Sequence, residues 1–213
     1  MMAFKTGPSY AYIEPGAARP PMWRAKWPCS ETVEGTPALD VSRPLIDRKG
    51  LSFSTFKLPD GTKRLLGVFA AAVGRELAAT TADWHRAGVA LSHLHRQTHL
   101  AILAPYRELL SDTRDKETLA MIAERAPTVA AKIGQSLDLL VGLGAGNAIG
   151  PAGLCHGDVR PMNMRMKDER VTFFDFDDCG RGPQWLDVAP MALWLEFMND
   201  SDAGALWRSF LVG

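Results

Sequence analysis

In the stretch LCHGDVRPMNMRMKDERVTFFDFDDCG, residues 154–180, three oxygen-bearing side chains stand at chemically useful intervals. Asp158 lies in a His-Gly-Asp, Asn163 follows five residues later, and Asp175 closes an apolar run. Between the last two, "NMRM" and "VTFF" read as strands and "KDER" as a polar turn, which predicts a hairpin. Pairing Met166 with Val171 sets Asn163 opposite Phe174, next to Asp175. An amide oxygen and a carboxylate then meet at one end of the hairpin, with Asp158 in the loop just before it. Hard cations such as Mg²⁺ take oxygen ligands, one or two from protein and the rest from water and phosphates. Asp158 could accept the proton of an attacking hydroxyl, and His156 could brace its loop through the backbone. A loop Asp, an Asn five residues on and a later Asp after a strand are the spacing used for phosphoryl transfer.

"HGDVRPMN" followed by "VTFFDFDDCGRGPQWLDVA" closely resembles the aminoglycoside phosphotransferase and choline kinase superfamily, which is protein-kinase-like. Within it the sequence looks most similar to the bacterial stress-response and homoserine-kinase-like branch. Upstream, "LGVFAAAVGREL" resembles the family's hinge strand, and "AGVALSHLHRQT" its first large-lobe helix. The resemblance spans residues 50 to 200 in consistent order. It implies an α+β, protein-kinase-like fold with a reduced β-containing N-terminal lobe, 1–70, and a helical C-terminal lobe, 71–213, that carries the catalytic hairpin. It implies ATP and Mg²⁺ as cofactors and a hydroxyl-bearing small molecule or a protein Ser/Thr as acceptor. Asp158 would be the catalytic base or hydroxyl-orienting group. Asn163 and Asp175 would hold Mg²⁺, with Asp177 assisting. The backbone around Val68, Phe69 and Ala70 would meet the adenine, and Lys26 in "MWRAKWP" would hold the phosphates, with Glu31 or Glu34 as its acidic partner. No Gly-rich phosphate loop stands in residues 1–45, and family members continue through more helices, so the chain is expected to be abbreviated at both ends. The alternative reading is a catalytically inactive kinase-like module that binds a nucleotide or a protein.

Other elements must position this constellation. The 213 residues suit one large domain or two small lobes. Lys plus Arg number 24, as do Asp plus Glu, so no net charge points to nucleic acid or an anionic membrane as partner. Cys29, Cys155 and Cys179 have neither metal nor disulfide spacing, which suits a cytoplasmic protein. No run has the length of a membrane span. Residues 1 to 45 are rich in Pro and Gly and predict irregular chain with one or two short strands. Alternation from Leu51 to Leu58, with Asp60-Gly61 as turn, predicts a second hairpin. Thr81 is expected to cap a helix burying Trp84, Ala87, Leu91 and Leu94. Further helices are expected in "APYRELLSD", "DKETLAMIAERA" and "TVAAKIGQSLDLLVGL", the last burying Val129, Ile133, Leu137 and Leu140. Two more are expected near 186–198 and 205–211.

Several features have a plainer reading. His95 and His99 share a helical face, but no HExxH glutamate accompanies them, so ordinary core or surface histidines are preferred. "GLGAGNAIG" follows a helix rather than a strand and reads as a linker. Neighbours in a strand face opposite ways, so Cys155 and His156 are not expected to form a dyad. Asp178 reads as a cap, and Asp187, opening a helix, as a brace or N-cap.

Overall fold

The computed structural model describes residues 9–13, 33–97, 112–145, 152–198 and 202–213. Its strands are β1 (Ser9–Ile13), β2 (Leu39–Val41), β3 (Ser54–Lys57), β4 (Lys63–Ala70), β5 (Ala152–Cys155), β6 (Met164–Lys167), β7 (Arg170–Phe173) and β8 (Gly180–Pro183). Its helices are α1 (Thr81–His95), α2 (Asp112–Ala123), α3 (Pro127–Ala145), α4 (Trp185–Met198) and α5 (Ala203–Val212). The strands form three small sheets, β1-β4-β3, β2-β7-β6 and β5-β8.

The first sheet is antiparallel throughout. β3 and β4 form the expected hairpin, and Asp60 Oδ1 accepts the Thr62 N–H at 2.8 Å across a turn in which Gly61 has φ of 86°. In the second sheet, β6 and β7 pair in the expected register, Met166 opposite Val171. Lys167 faces Arg170, so Asp168 and Glu169 alone make the bend, with Asp168 at φ 54°. β2 adds to β7 in parallel.

The segment just after β2 joins the two sheets. Ser42 donates its N–H to Phe173 O at 2.9 Å, continuing the β2–β7 ladder. Three residues later Leu45 N–H reaches Val68 O at 2.7 Å, and Ala70 N–H reaches Arg43 O at 2.8 Å. The chain leaving β4 is also tied to the hairpin. Gly74 has φ of 132°, and a Cβ there would stand 2.3 Å from Met166 O, so only glycine fits this crossing. Next to it, Arg75 exchanges two main-chain hydrogen bonds with Met166, at 3.0 and 2.8 Å.

α1 covers the second and third sheets. Its cap is Thr80, whose Oγ1 accepts the Asp83 N–H at 3.2 Å, one residue before the expected Thr81. Asp83 forms an ion pair with Arg75 and accepts the Ala78 N–H at 2.9 Å. That guanidinium holds the Asp83 carboxyl below the usual carboxylate range. Trp84, Ala87, Leu91 and Leu94 are buried as expected. They join Leu39, Val41, Leu154, Val159, Met164, Val171, Phe173, Met191, Leu206 and Phe210 in one core. α5 lies along α1, with Trp84 and Phe210 ring centroids 6.3 Å apart in an edge-on arrangement.

α3 departs from expectation. Val129 and Ile133 are 51% and 37% exposed, and Leu137 is only partly buried. Ala130 takes the buried position instead. α3 packs on α2, whose Met121 is also exposed. Periodicity marks an apolar stripe but not whether anything covers it. α3 also extends through Gly142 to Ala145, so the first part of the expected glycine linker is helical. Lys26, Glu31, Cys29, His99, the 146–151 part of that linker and the helix expected around "APYREL" lie outside the described residues. Among the described residues no helix is long and apolar enough to cross a membrane.

Candidate active site

The site is built on the loop between β5 and β6. β5 delivers a buried apolar pair, Leu154 and Cys155, and then His156 with no exposed surface. Gly157 follows at φ 87°, and a Cβ there would lie 2.1 Å from Asp178 O. The loop thus passes against the turn Phe176–Asp178 at a distance only glycine permits. Beyond it the residues alternate. Val159 is fully buried, while Asp158 and Arg160 on either side face outward and are partly exposed. A 3₁₀ turn, Pro161–Asn163, then leads into β6.

Behind the loop stands Asp187, in the first turn of α4 and fully buried. Its Oδ2 accepts the His156 N–H at 2.8 Å and its Oδ1 the Gly157 N–H at 2.7 Å. Oδ2 also accepts from His95 Nε2 at 2.9 Å, at the end of α1. One carboxylate therefore ties two helices to two consecutive amides of the loop. It braces the structure, as expected, but through the loop's N–H groups rather than as an N-cap.

His156 packs against Phe173 and Phe176 in tilted arrangements, at centroid distances of 5.7 and 4.3 Å. Its burial pushes its pKa below the ordinary histidine value, so the ring is neutral at physiological pH. Nδ1 faces the Asp158 N–H at 3.3 Å and must be the acceptor. Nε2 therefore carries the proton and donates it to Phe174 O at 3.0 Å. The ring braces the loop against the end of β7. Cys155 points elsewhere, its Sγ 3.4 Å from Gly182 O, and burial pushes its thiol pKa far up. No Cys–His dyad forms.

At the front, Asn163 is 5% exposed. Its Nδ2 donates to Asp158 O at 3.0 Å and to Asp158 Oδ2 at 2.7 Å. With the amide nitrogen thus turned to Asp158, Asn163 Oδ1 is the atom that could serve a cation. Asn163 O accepts the Phe174 N–H at 3.1 Å, as the hairpin register requires. Asp175 follows Phe174 in the left-handed region, φ 65° and ψ 60°, which turns the chain out of β7. Although this residue is exposed, desolvation of its carboxyl raises its pKa, with Asp177 and Asp158 adding like-charge repulsion. Asp158, Asn163 and Asp175 thus converge on one space. Among the described residues no group of three or more His, Cys, Asp and Glu is arranged to hold a metal. A donor set of one amide oxygen and one or two crowded carboxylates nevertheless fits Mg²⁺, which completes its shell with water and phosphate. A divalent cation would also relieve the repulsion around Asp175.

At the expected adenine contact, several main-chain groups already have partners. Val68 O accepts from Leu45, Ala70 N donates to Arg43, and the Ser42 hydroxyl donates to Ala70 O at 2.5 Å. These main-chain groups are already engaged by residues 42–45. Two features of the site were not read from the sequence. Arg160 pairs with Asp158, Nη2 to Oδ2 at 2.7 Å. His95 and Asp187 meet across 92 positions of sequence. The alternation around Val159 could have revealed the first, whereas no local signal announces the second.

Residues 48–209 match the family model described as the phosphotransferase enzyme family. No curated protein matches the chain. Among solved structures it is similar to the amicoumacin kinase hAmiN in complex with AMP-PNP, Ca²⁺ and Ami, at 18% identity and a TM-score of 0.72. That match covers 100% of this chain and 71% of the other. It is similar also to aminoglycoside phosphotransferase APH(3'')-Id from Streptomyces rimosus, solved with ADP and streptomycin. There the identity is 16%, the TM-score 0.66, and the coverage 97% of this chain and 79% of that one. A choline/ethanolamine kinase family protein from Mesorhizobium loti aligns at 18% identity and a TM-score of 0.56, over 99% of this chain and 66% of that one. These likenesses carry the kinase-like α+β fold. The family match spans most of the sequence and contains the whole loop, hairpin and brace, so the chain belongs to the phosphotransferase enzyme family and is a phosphotransferase.

Proposed function

We propose that the chain transfers the γ-phosphoryl group of ATP to a hydroxyl of a small molecule, with Mg²⁺ held by Asn163 and Asp175 and assisted by Asp177. The observation that carries this reading is the Asn163 amide on Asp158 Oδ2, beside the crowded Asp175 carboxylate. Mg²⁺ when bound would neutralise charge on the transferring phosphate. Asp158 keeps Oδ1 for the acceptor hydroxyl, orienting it and taking its proton. The hydroxyl oxygen bonds to the γ-phosphorus as the bond to the β,γ-bridging oxygen breaks, and ADP leaves. Residues 1–70 form the nucleotide side in this reading and 71–213 the acceptor side. Lys26 is the phosphate-holding lysine. The main chain around Val68, Phe69 and Ala70, at the end of β4, meets the base. Small-molecule acceptors are favoured over protein because the similar structures bind amicoumacin and streptomycin. Use of ATP and the odd number of widely spaced cysteines favour the cytoplasm.

Calorimetric titration with AMP-PNP, with and without Mg²⁺, tests the site. Binding should be Mg²⁺-dependent, and Asp175→Asn should remove that dependence. Binding that ignores both the metal and the substitution would overturn the assignment.

A further inference from the structure

We propose that Arg160 is a further catalytic residue, one that leaves Asp158 to hold the γ-phosphoryl oxygens of the bound nucleotide. The inference rests on the phosphotransferase reading of the same site. Four observations lead to it. Val159 is fully buried, and the extended chain therefore sends Asp158 and Arg160 out on the same side of the loop. The Arg160 side chain is 40% exposed, so its head can move without disturbing the core. It pairs with Asp158 at 2.7 Å on the same oxygen, Oδ2, that Asn163 already occupies at 2.7 Å. It also lies close enough to Asp175 to offset part of the carboxylate repulsion there. One guanidinium thus faces the base and a metal-binding carboxylate at once.

A further detail shows that the arrangement is incomplete. Among the described residues, Arg160 Nε is buried without a hydrogen-bond partner. A buried donor left unmade is costly, and the pair with Asp158 does not satisfy it. A guanidinium offers its N–H groups as a planar fork suited to phosphate oxygens. A γ-phosphate entering between Asn163, Asp175 and Asp158 would present acceptors to that fork. Arg160 would then release Asp158 Oδ2 and stabilise charge on the three non-bridging oxygens. The hydroxyl proton still goes to Asp158, and the β,γ-bridging oxygen still leaves with ADP. Before nucleotide binds, the same arginine compensates the charge of the base.

The bland alternative is a solvent-exposed ion pair that only steadies the loop, and such pairs contribute little. Affinity for AMP-PNP and for ADP, each with Mg²⁺, separates the two. In the wild-type chain AMP-PNP should bind more tightly than ADP. Arg160→Gln should lower AMP-PNP affinity by about tenfold while ADP affinity changes by less than about twofold. Arg160→Lys, which keeps the charge without the fork, should fall between. Turnover of Arg160→Gln should drop by about a hundredfold, as for loss of one preorganised donor. An unchanged AMP-PNP to ADP ratio in both variants would overturn the role of Arg160 and leave the nucleotide site intact. A wild-type chain that binds neither nucleotide would sink the phosphotransferase reading and this inference together.

Discussion

Two faces of the same loop differ in kind. Behind it, Asp187, His156 and His95 are buried or nearly so, and both Asp187 oxygens, both His156 ring nitrogens and His95 Nε2 have partners. In front, Asp158, Asp175 and Asp177 crowd together, with Arg160 and Asn163 offsetting part of their charge among the described residues. The back is over-determined and neutral or paired, as a low-dielectric interior requires. The front keeps charge that the folded chain does not need. Crowded, desolvated carboxylates of this sort cluster at functional sites, which supports reading this side as the one that receives a ligand. The back therefore holds the loop, and the front is where the proposed chemistry is placed.

If so, substitutions behind the loop should cost stability, and those in front should cost activity. The largest stability effect is expected at Asp187. Asp187→Ala leaves the His156 and Gly157 amides and His95 without their shared acceptor, at a cost of about 3 kcal/mol or more. Urea denaturation should show the loss, and a change under about 1 kcal/mol would break the comparison. Gly157→Ala comes next, since its Cβ would collide with Asp178 O at a backbone angle that disfavours a side chain. It should destabilise by about 2 to 4 kcal/mol, as judged by the same melts.

His156 gives a pH signature. Its folded-state pKa lies below its unfolded value of about 6.5, so the unfolded chain binds more protons in acid. Stability should hold above pH 7 and fall as pH drops below about 6.5, by at most about 1.4 kcal/mol per pH unit from this residue. Melting temperatures measured from pH 7.5 to 5.5 should decline in the wild type and less steeply in His156→Asn. Equal slopes would remove His156 from the account. The smallest effect is in front. Asp175→Asn keeps a residue that tolerates the left-handed backbone and removes one of the repelling charges. Without nucleotide it should leave stability unchanged or raise it by about 0.5 kcal/mol. A loss above about 1 kcal/mol would mean that Asp175 belongs to the scaffold.

The same division explains what could be read from sequence. The front was legible because Asp158, Asn163 and Asp175 are spaced by a local hairpin, and strand pairing fixes which residues meet. The kinase-like α+β fold was implied by the family resemblance that this segment and the stretches upstream carry. The back was only half legible. Asp187 and His156 were read as braces, but their partners depend on how α1 and α4 dock, which no local period encodes. The Thr80 cap shows the ordinary one-residue uncertainty of helix ends. The stripe on α3 failed for a different reason, because apolar periodicity reports a face and not its neighbour. At Val68 and Ala70 the strand was visible in the sequence, while the segment 42–45 that engages it was not.

The central claim is that Asp158 receives the acceptor hydroxyl in a Mg²⁺-ATP-dependent transfer. Its most direct measurement is ADP release by wild type and Asp158→Asn against a panel of aminoglycosides, amino alcohols, homoserine and choline. Turnover with at least one hydroxyl acceptor, lowered by about a hundredfold or more in a variant that remains folded and binds nucleotide, is the predicted result. Wild type and Asp158→Asn showing the same rate on every acceptor would contradict it.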